Sequence, residues 1–448
     1  MNTQHKLYRQ QRVESYPMED AIVPYREPTS NTMVTVKTKG QQRAEAKRKG
    51  VISVKLEFKD THLDQVPLII NPVQEWDQLA RDYMNGQGQK LPEFVIYPFG
   101  NIRGCPKNIL NQFKKQVYRT ASEGNGWIVH NGLSDNAQDG QTKTMAGLIS
   151  EAVRLYKDSV RNPAFTVALV NYHSARSAEK AVDELESNRD KLWFEWPKRP
   201  NENRRNDGLQ TMVRYASQFI FYEPDIHANL LENPMMRASK ESGFSTDDAT
   251  PIYIPSLRIL LRGTWDDTEE LLKDWEEIKT ERPTIIVGDS GGLSEYLRDF
   301  LTDTKVQTLD EKTKKYSLLT EMKQYNDLLT EDQLNCEDED QVEKLQAEVQ
   351  TRLGFISRFY DEKKIFLWHV DEEQLSEILV KSLHENDKKT KTKVSQIALL
   401  NLALYLGCTD EATELFDSDI FDKRSLATAL MKALCLGKDG VPIKVIHF

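Results

Sequence analysis

The chain has few cysteines, no long apolar run and no excess of basic charge, and each shortage removes a class of function. Its only cysteines are Cys105, Cys336, Cys408 and Cys435; none forms a CxxC pair and none lies at metal-ligand spacing from another. They read as free thiols in a reducing compartment, and none lies in a recognisable nucleophile context. The longest apolar runs, such as Phe219-Ile220-Phe221-Tyr222, fall far short of the roughly 20 residues that a membrane-spanning helix needs. The N-terminus, MNTQHKLYRQQRVESYP, has no apolar core of the signal-peptide kind. The formal net charge is −10, so the chain as a whole gives no electrostatic reason to bind nucleic acid or anionic lipid. No Walker lysine, GxSxG elbow, HExxH helix or DxDxD-type metal cluster occurs.

What is present is enough for real cores. Hydrophobic residues make up 39% of the 448, with 16 Phe, 16 Tyr and 7 Trp, a composition that argues against wholesale disorder and for two or three domains. Residues 1–50 hold Pro17, Pro24, Pro28 and the basic stretch QQRAEAKRKG, and read as a flexible arm. Alternation at period two from Val51 to Phe58 predicts a half-buried strand.

From about 91 to 300, short apolar runs alternate with amphipathic stretches. Strands are predicted at Phe94–Tyr97, Trp127–Val129, Phe165–Val170, Phe219–Tyr222, part of Ile252–Leu261, and Thr284–Val287. Helices are predicted at NILNQFKKQVYRTASEG, KTMAGLISEAVRLYKD and LSEYLRDFL. Such alternation implies a parallel sheet covered on both faces, an α/β domain over 51–305 with a surface insertion near 172–212. Beyond about 300 the strand signal fades. YSLLTEMKQYNDLLTEDQLN, VSQIALLNLALYLGCTDEATELF and RSLATALMKALCLG carry apolar residues at helical spacing, so 306–448 reads as an all-α region of stacked helix pairs. CEDEDQ and NDKKTKTK read as solvated linkers. The end, Lys438-Asp439-Gly440 followed by VPIKVIHF, stops abruptly and suggests a piece of a larger membrane protein.

In an open parallel sheet, ligands bind beyond the carboxyl ends of the strands. Two loops there are candidates for contact: His130, Asn131, Gly132 and Ser134 after one strand, and Asp289, Ser290, Gly291 and Gly292 after another. The second has glycines that let backbone approach a ligand, a hydroxyl, and a helix start that favours an anion. A plain strand-to-helix turn has the same composition. A third segment, Glu223-Pro224-Asp225-Ile226-His227 with Pro234-Met235-Met236-Arg237, contributes Asp225 and Arg237 as candidates, against the alternative of an ordinary charged rim.

These pieces, in this order, resemble a known family. LPEFVIYPFGNIRGCPKNILNQFKKQVYRTASEGNGWIVHNG, FIFYEPD, TIIVGDSGG and the final helices LNLALYLGCTDEATELF with RSLATALMKALCLGKDG are similar to the cytosolic homology region of TRPM cation channels, over roughly 50–448. A divergent, invertebrate-like member fits best. The resemblance implies a SLOG-type Rossmann-like domain followed by ankyrin-like helical repeats. It also implies a tetrameric parent on the cytoplasmic side of a membrane, with other channel subunits as partners. The ligand implied is adenosine diphosphoribose or a related nucleotide, with no cofactor required and no insertion of this chain into the bilayer. Two departures stand out. His130-Asn131-Gly132-Leu133 keeps only one glycine of the family's first loop, and Gly292 stands where an arginine meets phosphate. Arg237 matches a further ligand-binding arginine. Related enzymes that cleave nucleotide N-glycosidic bonds carry a glycine-rich signature whose nearest counterpart is Arg262-Gly263-Thr264-Trp265-Asp266-Asp267-Thr268-Glu269-Glu270, with most of the glycines missing. Glu269 and Glu270 read as the exposed first turn of a helix. Three functions follow as expectations: a nucleotide sensor without turnover, a structural assembly domain whose pocket has decayed, and a nucleotide hydrolase.

Overall fold

A computed structural model describes residues 92–134, 144–160, 163–171, 191–194, 211–213, 215–222, 255–276, 282–306, 308–335, 338–387 and 393–416, and before residue 92 only strands. The chain divides into two compact units. The larger holds 92–130, 139–166 and everything from 253 onward, and it is α/β with a Rossmann-like parallel sheet.

Its strands are β1 (Val95–Phe99), β2 (Trp127–His130), β3 (Phe165–Asn171, of which the first two residues belong to this unit), β4 (Ser256–Leu261), β5 (Thr284–Val287) and β6 (Ile365–Trp368). They lie in the order β3-β2-β1-β4-β5-β6. The parallel register runs Val95 opposite Trp127, Ser256 opposite Val95, Arg258 opposite Thr284, and Thr284 opposite Ile365. β1, β2, β4 and β5 are buried at every residue, which is why they appear in the sequence as continuous apolar runs rather than alternating ones.

Helices cover both faces. α1 (Lys107–Glu123), α2 (Met145–Tyr156), α3 (Asp267–Glu276), α4 (Gly292–Thr302), α5 (Leu309–Tyr316), α6 (Glu339–Asp361), α7 (Leu375–Asp387), α8 (Lys393–Leu406) and α9 (Thr409–Phe416) follow in chain order. Side chains alternate across a strand. Phe99, Leu260, Ile286 and Ile365 therefore share one face, where they form a core with Leu271 and Leu272 of α3, Leu293, Tyr296 and Phe300 of α4, Tyr316 of α5, and Leu353 and Phe359 of α6. Trp368 points the other way, onto Phe113 of α1, with ring centroids 6.2 Å apart. Gln116 of α1 also donates to Val370 O and accepts from Leu375 N–H, so α1 holds the start of α7. Thr144 caps α2 by accepting from Gly147 N–H, and Asp338 caps α6 by accepting from Asp340 N–H.

Three expectations change. The strand signal does not end near 300: Ile365–Trp368 joins the edge of the sheet, so the sheet extends past residue 305. CEDEDQ is not all linker, because Asp338 and Glu339 cap and open the 23-residue α6. The segment after 316 forms only short turns, Leu319–Met322 and Glu331–Leu334, where helical spacing suggested a longer helix. α7, α8 and α9 do pack in succession, while RSLATALMKALCLG lies outside the described residues.

The smaller unit holds 1–91, 131–138 and 167–252. There β3 pairs in parallel with Gln218–Tyr222, which pairs in parallel with Leu68–Ile70, and Val51–Ser53 lies antiparallel to the last. Lys55–Phe58 pairs with Lys191–Phe194, inside the predicted insertion. Within the predicted arm, Ile22–Arg26 and Met33–Thr38 pair antiparallel.

Candidate functional site

The strand order defines where a ligand would sit. β1 leads through α1 toward β2, whereas its neighbour β4 leads through α3 toward β5, so the connections diverge at the carboxyl ends of β1 and β4, the place where open α/β sheets take ligands. The backbone there is tightly drawn. Gly100 follows β1 with φ +110, and a Cβ on it would lie 2.5 Å from the carbonyl oxygen of Leu261. Only glycine fits, because both the left-handed torsion and the close approach exclude a side chain.

Arg262 directly follows β4 at this divergence. It adopts φ +59, a torsion that costs a non-glycine residue about 1 kcal/mol or more, and it is only 5% exposed. Its own N–H donates to Ser290 Oγ at 2.7 Å. One terminal nitrogen, Nη1, reaches Ser290 O at 3.3 Å; the other, Nη2, reaches Asn326 O at 3.1 Å and Asp327 Oδ2 at 2.9 Å. The guanidinium lies between two glycines. A Cβ on Gly291 would fall 2.2 Å from Nη1, and one on Gly104 would fall 3.0 Å from Nη2. Cys105, adjacent, is buried, and burial pushes its thiol up to about 12 despite the pull of Arg262, so it stays protonated at neutral pH.

The turn predicted as a phosphate cradle is adjacent to this arginine. Ser290 donates to Val287 O at 2.7 Å and receives the Arg262 N–H. Two of the first amides of α4 are already engaged: Leu293 N–H donates to Gly263 O at 3.0 Å and Ser294 N–H to Arg262 O at 2.8 Å. The positive charge beside this turn is therefore the Arg262 side chain, while two amides of the helix start are taken up by backbone carbonyls. Asp289 faces outward from the same turn. Its Oδ1 pairs with Arg298 Nη1 at 2.8 Å and its Oδ2 lies 2.9 Å from Nδ1 of His369, just past β6. Arg298 also pairs with Asp299, whose other oxygen accepts from the Tyr325 hydroxyl at 2.9 Å.

The first predicted loop is built differently. His130, the last residue of β2, is buried, and burial pulls its imidazole down to about 3, so it is neutral at physiological pH. In the smaller unit, Asn131 Oδ1 accepts from Leu133 N–H, Gly132 O accepts from Val213 N–H, and Leu133–Ser134 pairs antiparallel with Thr211–Met212. Asp225 and Arg237 lie outside the described residues. Glu269 and Glu270 stand in the exposed first turn of α3, and Glu270 Oε1 holds Nη2 of the buried Arg258 at 2.6 Å.

Asp289, Ser290, Gly291 and Gly292 thus come together with three features that the sequence reading missed: Arg262, Asp327 and His369. Arg262 had a signal, being a polar residue directly after an apolar strand and before a glycine. Asp327, 65 residues further on, had none, because only the fold brings it there. Among the described residues no group of three or more His, Cys, Asp or Glu side chains is placed to hold a metal ion, and no helix is long and apolar enough to cross a membrane. No protein-family model and no curated protein matches the chain.

Proposed function

We propose that this chain is the cytosolic regulatory and assembly region of a TRPM-like cation channel, and that the divergence between β1 and β4 senses an anionic nucleotide of the adenosine diphosphoribose kind. The observation that carries this reading is Arg262, a nearly buried guanidinium held between Gly104 and Gly291 where the connections of β1 and β4 diverge. Buried cations need an anion close by, and a crevice at the divergence of a doubly wound sheet is where dinucleotides and their pyrophosphates sit in this architecture. The order of sequence motifs, with helices following the sheet, supports the channel-region assignment. Other subunits of a tetramer are the partners that assignment entails.

Binding without turnover is favoured by the groups nearby. The Cys105 thiol is held protonated, His130 is enclosed and neutral, and Glu270 is committed to Arg258. One observation favours the alternative, a purely structural assembly domain: the amides of Leu293 and Ser294 are occupied by backbone carbonyls, so these two donors need no ligand.

Isothermal titration of the chain with adenosine diphosphoribose, NAD and ATP, with product analysis on the same samples, tests the choice. The expected result is saturating heat at micromolar ligand with no product, weakened in Arg237→Ala and Ser290→Ala. Absence of heat with all three ligands leaves the assembly role. Release of a base or ribose phosphate that disappears in Glu270→Gln makes the chain a hydrolase instead.

A further inference from the structure

We infer that Asp327 is a built-in competitor: its carboxylate occupies the anion position on Arg262 and must leave before a phosphate-bearing ligand can be held there. The inference rests on this divergence being a nucleotide site and adds a regulatory element to it.

The two partners of the ion pair are unlike. The Arg262 side chain is 6% exposed, whereas that of Asp327 is 61% exposed. The arginine is fixed by its backbone bond to Ser290 Oγ, its contacts to Ser290 O and Asn326 O, and the glycines on either side. The aspartate contributes a single oxygen, Oδ2, from a turn whose backbone is itself held in the left-handed region at φ +59. That turn is anchored on both sides by other contacts. Tyr325 donates to Asp299, and Leu328 is buried with its carbonyl accepting from Trp265 N–H at 2.8 Å. The carboxylate can therefore swing into water while the turn stays in place. A carboxylate that remains mostly hydrated gives up little on leaving, whereas the guanidinium, enclosed by protein, keeps its need for an anion. A diphosphate meets that need better than one carboxylate oxygen, because a planar guanidinium can donate two parallel hydrogen bonds to a phosphoryl group. The Asn326 carbonyl and the Ser290 carbonyl keep the arginine oriented during the exchange.

Asp327→Asn separates charge from shape. Asparagine tolerates the left-handed torsion at least as well as aspartate does, so the turn is preserved and only the negative charge is lost. Inorganic pyrophosphate and adenosine diphosphoribose are titrated into the wild-type chain, Asp327→Asn and Arg262→Met at fixed ionic strength, with circular dichroism confirming that each variant is folded. The inference expects both probes to bind Asp327→Asn roughly tenfold more tightly than wild type, the size of one charge-assisted hydrogen bond no longer contested. It also expects Arg262→Met to lose pyrophosphate. Amide exchange adds an independent readout: pyrophosphate should leave the Ser294 amide protected and speed exchange around Asn326 and Asp327 in the wild type. Equal affinity in wild type and Asp327→Asn overturns the competitor role while leaving the nucleotide site intact. Weaker binding in Asp327→Asn also overturns it, by making Asp327 part of the ligand's own support. Binding of adenosine diphosphoribose but not of pyrophosphate to any form removes Arg262 as the anion contact and keeps the sensor reading. No binding of either probe overturns both.

Discussion

Two histidines stand at comparable places in the larger unit, at the carboxyl ends of parallel strands, and they have opposite characters. His130 ends β2, is buried, and is pulled down to about 3 by that burial. His369 follows β6, is 34% exposed at its side chain, and faces the Asp289 carboxylate at 2.9 Å. The difference extends to the surroundings. Beyond the ends of β4 and β5, Arg262 pairs with Asp327 and Asp289 with Arg298 of α4, whereas β2 ends at a histidine enclosed by protein. Position at a strand end does not by itself make a site. What matters is whether the neighbouring groups can stabilise charge, and beyond the ends of β4, β5 and β6 they do so through Asp327, Arg298 and Asp289.

That contrast can be broken from either side. Truncation of Arg262 to Ala should have the largest effect, about 2–3 kcal/mol in denaturant unfolding, since it empties a packed space and removes hydrogen bonds from Ser290, Asn326 and Asp327. Acid should act mainly through the β2 end. His130 titrates near 6.5 when unfolded and near 3 when folded, so the unfolded chain binds the extra proton and stability falls as pH drops through that window. The loss should be about 2 kcal/mol between pH 7 and 5, and His130→Gln should flatten it in a stability-versus-pH series. Beside α4, Asp303 accepts from Lys315 Nζ at 2.9 Å and Lys305 N–H at 2.8 Å, and these contacts hold its carboxyl below the usual range. Its contribution is present above about pH 4 and lost on further acidification. Asp303→Asn should lower stability at neutral pH by about 1 kcal/mol or less, measured by thermal melting. Asp289→Asn should have the smallest effect, about 0.5 kcal/mol, shrinking as salt is added, because both its partners are partly solvated.

Much of the sheet was legible in the sequence because β1, β2, β4 and β5 are short apolar runs bounded by glycine-bearing loops, and burial on both faces leaves that mark. β6 was not, since IFLW is a four-residue run between two helices, in a stretch whose helical periodicity dominates. α6 was obscured by its acidic start, which looks like a solvated linker until Asp338 is seen capping it. At the site, Asp289, Ser290 and the two glycines were readable from local composition. The charge balance was not: whether a guanidinium or a ligand fills the space beside Gly291 depends on the left-handed torsion of Arg262, of which its place after an apolar strand gave only a hint, and on Asp327, which no local pattern signals.

The placement of β6 has a consequence for the chain in fragments. Between Val287, at the end of β5, and Ile365, at the start of β6, the polypeptide builds α4, α5 and α6 before it returns to pair with β5. Until that return, one side of β5 presents a row of unsatisfied amides and carbonyls flanked by Ile285 and Ile286, a template for adding strands from other molecules. A polypeptide ended at 305, where the sequence alone suggests a boundary, would keep that template open permanently and self-associate through it. One carried past Trp368 would close it. During synthesis the same exposure lasts for as long as this long-range contact takes to form, so β5 is open to mispairing over that interval.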